Sequence, residues 1–173
     1  GRSVLQIEPI WIRLHDHQYN SSDMKHLDSH YLTFEEAVKE RHLDGLIITG
    51  APVEEMEFED VAYGDEIVKM IEYARENIAS TLGICWGGLA LAKVLGIEKV
   101  NYDMKLFGAY ETENLNKDHP ITGELDDIFL CPQSRHAGID DDILELESEK
   151  GTVNLLAYNE ETGYTIFEST DGR

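Results

Sequence analysis

Cysteine, proline and basic residues are all scarce in this sequence. Two cysteines among 173 residues, Cys85 and Cys131, cannot build a disulfide framework, and no C-x-x-C pair occurs. That usage fits a reducing cytoplasm. No run approaches the roughly 18 consecutive apolar residues that a membrane-spanning helix needs, and no secretory leader pattern opens the chain. Lys and Arg number 14 against 35 Asp and Glu, a formal charge of −21. Such a field repels nucleic-acid phosphates, so no nucleic-acid partner is expected, and with no apolar span no membrane partner is expected either. Most of the excess acid reads as a solubilising surface. Neither a G-x-G-x-x-G nor a Walker pattern is present, which argues against nucleotide hydrolysis. His15, His17, His26 and His30 have the right residue type for a metal. They fall in a loop-like stretch with no glutamate between the i, i+4 pair, so they read as surface and no metal is expected. Asp140-Asp-Asp142 lacks the alternation and central glycine of a calcium loop and reads as a solvated turn.

What is present is an ordinary globular composition, 42% apolar and 28% charged, over a length that suits one domain, residues 1–173. Residues 4–14 read as a strand that Pro9 places at an edge or bulge, and residues 15–32 as a polar surface loop. Thr33-Phe-Glu-Glu36 is a capping box that should open a short helix through Arg41. Residues 43–50 form a short apolar run ending in glycine, the pattern of a parallel strand buried on both faces. An acidic loop, 50–60, follows. Ile67, Ile71, Ala74 and Ile78 then recur at helical spacing and mark one amphipathic face. Ser80 to Cys85 reads as a strand, Leu89 to Leu95 as a buried helix, and Gly96 as its stop. Beyond it β-type segments dominate, at 106–112, 126–131, 143–147, 153–158 and 164–168, with a hairpin turn at 160–163. Strands alternating with helices predict an α/β fold, with helices on both faces of a doubly wound, mostly parallel sheet.

Gly83-Ile-Cys85-Trp-Gly87 lies at the junction of a predicted strand and helix. A sharp turn there would hold the cysteine in a constrained backbone conformation, and the flanking glycines would remove clashing side chains. The helix that follows would aim its N-terminus at the sulfur, favouring a thiolate and then an oxyanion. A buried packing cysteine is the competing explanation. Cys131, at the end of an apolar strand, reads as packing.

Four blocks resemble the homoserine O-acyltransferases, the homoserine trans-succinylases and transacetylases. They are His42-Leu-Asp-Gly-Leu-Ile-Ile-Thr-Gly-Ala-Pro-Val-Glu54, Ser80-Thr-Leu-Gly-Ile-Cys-Trp-Gly87, Lys105-Leu-Phe-Gly108 and Pro132-Gln-Ser-Arg-His136. They occur in the family's order and near its spacing, and the likeness spans essentially the whole chain. It implies a fold like the class I glutamine amidotransferases, with no metal or prosthetic group. The implied activity is acyl transfer from acyl-CoA to the hydroxyl of homoserine, a step of methionine biosynthesis, in the cytoplasm. In that picture Cys85 is the nucleophile and carries the acyl group, Lys105 contacts substrate, and Ser134 helps set substrate preference. Glu54 occupies the position that separates acetyl-CoA from succinyl-CoA. Glutamate there goes with acetyl-CoA, because a carboxylate repels the free carboxylate of a succinyl group. Serine is the competing acceptor. A glutaminase is disfavoured by Leu89, by Ala51-Pro-Val-Glu54 and by the Lys105 block. A homodimer is left open.

The resemblance also implies elements that the sequence lacks: the family's first strand, and a C-terminal block in which a histidine is the base and a glutamate orients it. The fold is therefore expected to be incomplete at both ends. Gly1-Arg2-Ser3 and Asp171-Gly172-Arg173 do not read as native termini, and the chain is expected to be a fragment with weak or no activity by itself. His119-Pro120 stands between the Lys105 and Ser134 blocks without a following glutamate, so the base is not assigned to it.

Overall fold

The computed structural model describes residues 6–15 and 30–172. It contains α1 (Phe34–Glu40), β1 (Gly45–Ile48), a short 3-10 turn (Phe58–Asp60), α2 (Gly64–Asn77), β2 (Ser80–Gly83) and α3 (Trp86–Val94). The second half holds β3 (Val100–Asn114), β4 (Ile128–Gly138), α4 (Asp141–Glu149), β5 (Val153–Asn159) and β6 (Gly163–Ser169). β1 and β2 pair in parallel, from Gly45 opposite Ser80 to Ile48 opposite Gly83, and α2 makes the crossover between them. The remaining strands form an antiparallel sheet in the order β4-β3-β5-β6. The class is α/β, with the parallel pairing confined to the first half among the described residues. His17, His26 and most of the 15–32 loop lie outside the described residues, as do residues 4 and 5. Of the remainder of the 4–14 segment, Ile12 makes one isolated parallel bridge, to Leu32.

Local chemistry explains most element boundaries. The Thr33 hydroxyl accepts from the Glu36 amide at 3.3 Å and the Glu36 carboxylate accepts from the Thr33 amide at 2.8 Å, so the capping box is complete. Ile67, Ile71 and Ala74 of α2 and the adjoining Ile78 are all buried, together with Met70. A fully buried isoleucine contributes on the order of 2 kcal/mol, so this face dominates the helix's stability. Gly96 ends the α3 segment at φ +80°, a left-handed conformation that glycine adopts without a steric penalty. Gly163, at φ +70°, closes the β5–β6 hairpin.

Three expectations need correction. Residues 143–147 are helical: the Asp140 carboxylate accepts from the Asp142 and Ile143 amides at 2.9 and 3.4 Å, so the acidic run that reads as a solvated turn is in fact the N-cap of α4. Short alternation in Ile-Leu-Glu-Leu-Glu mimics a strand, but only Leu144 is buried, as a one-sided helix requires. β1 is buried on one face only: Leu46 and Ile48 point into the core, while Ile47 is 63% exposed. Finally, β4 runs on from the predicted 126–131 segment through Pro132 to Gly138. Proline lacks an amide to donate, but β4 is an edge strand of its sheet and has only one neighbour to satisfy.

Two cores meet at α3. Trp86 and Ala90 pack with β1 and α2 in the first; Ala92 packs with Ile97, Ile139, Leu144 and Val153 in the second. Leu89 touches both. The N-terminus of α3, where Cys85 stands, is thereby fixed relative to both halves of the fold.

Candidate active site

Cys85 is the only non-glycine residue with positive φ among the described residues, at φ 56° and ψ −120°. It is the residue before α3 and its side chain is exposed. The surrounding glycines permit the turn. A Cβ on Gly83 would stand 2.5 Å from the Gly87 carbonyl oxygen, and one on Gly87 would collide with the Ile48 carbonyl. A Cβ on Gly50 would come within 3.3 Å of the Cys85 sulfur. Gly50 thus gives the sulfur its space, a role the sequence hinted at only by a glycine at the end of a strand. The Ile84 amide donates to the Ile48 carbonyl at 2.9 Å, carrying β2's attachment to β1 up to the turn. The Gly87 and Gly88 amides donate to the Ile84 and Cys85 carbonyls at 3.0 and 2.9 Å. The bonds that close the turn leave out the Trp86 amide. That amide, on the residue after the nucleophile, is the one an elbow of this kind offers to an oxyanion.

A cleft of about 790 Å³ opens at the elbow, between β2 and α3 on one side and β4 and β6 on the other. Its wall includes Cys85, Glu54 and Ser134. The structure therefore brings three of the four sequence-derived candidates to one cavity. Lys105 lines a separate concavity of about 610 Å³ beside Tyr102 and Asp140 to Asp142. It sits in the stretch where β3 and β4 lose register, between Asn101 and Leu106, with its ammonium 5.8 Å from the Phe107 ring centre. Cys131 is half-buried on the cleft wall and its sulfur accepts from the Gln133 side-chain Nε2 at 3.2 Å.

His119 has a partner that sequence reading missed. Its Nε2 lies 2.9 Å from Glu168 Oε2, and its Nδ1 accepts from the Ile121 and Thr122 amides at 3.2 and 3.5 Å. The two accepted bonds put the ring proton on Nε2, which donates to Glu168. Nε2 thereby ties the 115–127 loop to Glu168 of β6, while Nδ1 braces the loop internally. The only signal for it was a histidine beside proline in a turn. No histidine among the described residues is hydrogen-bonded to the Cys85 sulfur. Likewise, no group of three or more His, Cys, Asp or Glu among the described residues is arranged to hold a metal.

The fold is that of the glutamine amidotransferase-like α/β proteins. A solved glutamine amidotransferase from Thermotoga maritima superposes with a TM-score of 0.62 over 83% of this chain and 57% of its own, at 19% identity. Within that class the chain belongs to the homoserine O-succinyltransferase family, whose sequence model matches residues 1–173. Among its relatives, a homoserine O-acetyltransferase of Lachnoclostridium phytofermentans is 39% identical over all of this chain and 56% of its own length. A homoserine O-succinyltransferase of Tolumonas auensis is 35% identical over all of this chain and 54% of its own. The chain spans a little over half the length of these relatives.

Proposed function

We propose that the protein containing this chain is a homoserine O-acyltransferase that uses acetyl-CoA and works through an acyl-enzyme on Cys85. The observation that carries the reading is the constrained elbow cysteine at a cleft that also exposes Glu54 and Ser134. The Cys85 thiolate attacks the thioester carbonyl, and the oxyanion that forms is held at the α3 N-terminus, with the Trp86 amide in reach. Collapse of this intermediate expels the CoA thiolate, which takes a proton, and leaves acetyl on the sulfur. The acceptor hydroxyl then attacks the acetyl-enzyme, gives up its proton to a base, and leaves as the O-acetyl ester while the thiolate is regenerated. The base is a histidine oriented by a glutamate, as the family resemblance implies. No metal or prosthetic group takes part. Homoserine is assigned as acceptor over serine, a difference of one methylene worth about 1–3 kcal/mol in a pocket.

Family membership alone leaves the donor open, because relatives carry both acetyl- and succinyltransferase names. Glu54 supports acetyl. It is half-buried on the cleft wall while its neighbours Glu55 and Glu57 are exposed, so a succinyl carboxylate entering the cleft would meet a fixed negative charge. The test is Glu54→Gly in the intact protein, with kcat/KM measured for both donors. The expected result is a shift toward succinyl-CoA of at least about tenfold in the ratio, the size of one unfavourable charge contact. An unchanged ratio would remove Glu54 from donor selection.

A further inference from the structure

The turn that carries Glu54 is tied to the helix that follows the nucleophile. Besides the packing of Ala51 and Val53 on the core, three contacts hold it. At its start, the Asn101 side-chain amide, at the head of β3, donates to the Glu55 carbonyl at 3.2 Å. In its middle, the Phe58 ring stacks on Trp86 with centroids 5.5 Å apart and planes 4° from parallel. Near its end, Glu59 meets the Lys93 ammonium at 2.9 Å. Two of these three anchors, Trp86 and Lys93, belong to α3, and Trp86 directly follows Cys85. Trp86 is itself 2% exposed and is packed edge-on by Tyr63. A fourth contact, His136 to Glu55 at 3.9 Å, is long and solvent-exposed on the glutamate side, so it contributes little.

We infer that Asn101 and Phe58 are positioning residues for donor selection: they fix the depth at which Glu54 stands in the cleft relative to the Cys85 sulfur. The inference rests on the proposed role of Glu54. Repulsion between carboxylates discriminates only if the protein's charge cannot swing away. A glutamate on a loosely held turn would retreat from a succinyl group at small cost, whereas a glutamate on a turn tied to α3 cannot. Neither Asn101 nor Phe58 is among the residues that line the cleft, so their effect must pass through the turn.

Asn101→Ala and Phe58→Leu, each made in the intact protein with Glu54 present, test this by kcat/KM for acetyl-CoA and succinyl-CoA. Each substitution is expected to lower the acetyl-to-succinyl ratio by about three- to tenfold, mainly through a better KM for succinyl-CoA, with kcat for acetyl-CoA nearly unchanged. In a Glu54→Gly background the same substitutions should leave the ratio where Glu54→Gly alone sets it, because there is no charge left to position. A merely structural role would depress both donors equally and leave the ratio intact, which overturns the inference. So would an equal shift of the ratio with and without Glu54. Asn101 is exposed, so its variant reports even if Phe58→Leu disturbs the core around Trp86. If Glu54→Gly itself leaves the ratio unchanged, the donor reading fails first and takes this inference with it. If Glu54→Gly shifts the ratio and the positioning variants do not, only this inference fails.

Discussion

Cys85 sits at φ 56°, where an L-residue's Cβ is crowded against its own backbone. Such a conformation costs on the order of 1–3 kcal/mol and persists only where the surroundings enforce it. Here the close packing around Gly50, Gly83 and Gly87, which only glycine tolerates, does so. Gly50 is the one nearest the sulfur. Gly50→Ala would place a methyl 3.0 Å from Cys85 Cβ and 3.3 Å from Sγ. We expect it to slow alkylation of Cys85 by iodoacetamide several-fold while the melting temperature stays close to that of the parent. Unchanged alkylation would mean the thiol has other space to occupy. Tyr164 offers a second residue-scale prediction. Its pKa is pushed from the usual 10.0 up to about 12, first by desolvation, then by the Glu145 carboxylate that accepts its hydroxyl. A raised pKa means the folded chain holds this proton more tightly than the unfolded chain. The resulting stability is full below pH 10 and is lost as pH rises toward about 12. Denaturation midpoints should fall over that window, and Tyr164→Phe should flatten part of the fall.

At the scale of elements, the strand–turn–helix unit from β2 to α3 is the piece on which the proposed chemistry depends. Its tightest approach is Gly87 against the Ile48 carbonyl, where α3 crosses the end of β1. Gly87→Ala must push the helix off the strand, and we expect about 1–3 kcal/mol of lost stability in a denaturant titration, the usual cost of overpacking a filled site. A variant as stable as the parent would show that this junction yields easily. The same unit was the most legible part of the sequence, because G-x-C-x-G fixes a turn and its flanking apolar runs fix the strand and helix. Residues 143–147 read as a strand in sequence because a five-residue alternation carries little periodic information, while the signal for α4 lies upstream in the capping Asp140. The 126–131 segment ends short of Pro132, whereas β4 runs through it, because a sheet edge tolerates proline and edge position is not written in the local sequence. Lys105 shows the same limit: its residue block was recognisable, but its placement depends on a register break between β3 and β4 that no local pattern announces.

For the molecule as a whole, charge sets the terms. A balance of 14 basic against 35 acidic residues makes the compact state repel itself. The ion pairs that offset this are mostly exposed, such as Arg41 with Glu8 and Lys117 with Asp127, and exposed pairs contribute little. Screening by added sodium chloride should therefore raise the melting temperature rather than lower it, and a fall would imply that the ion pairs outweigh the repulsion. No described helix is long and apolar enough to cross a membrane. The large-scale reading that sequence supported, an α/β fold of the glutamine amidotransferase type with homoserine acyltransferase relatives, rests on several blocks kept in order across the chain, which local errors at α4 or β4 do not disturb.

If Cys85 carries the acyl group, the acyl-enzyme accumulates when no acceptor is present. Intact-mass and peptide mass spectrometry of the full-length protein, mixed with acetyl-CoA alone, would detect it. A single acetyl adduct is expected on the peptide containing Cys85, discharged on addition of homoserine, absent from Cys85→Ser and retained in Cys131→Ala. An adduct confined to Cys131, or turnover with no adduct on Cys85 under any quench, would rule out an acyl-enzyme on Cys85.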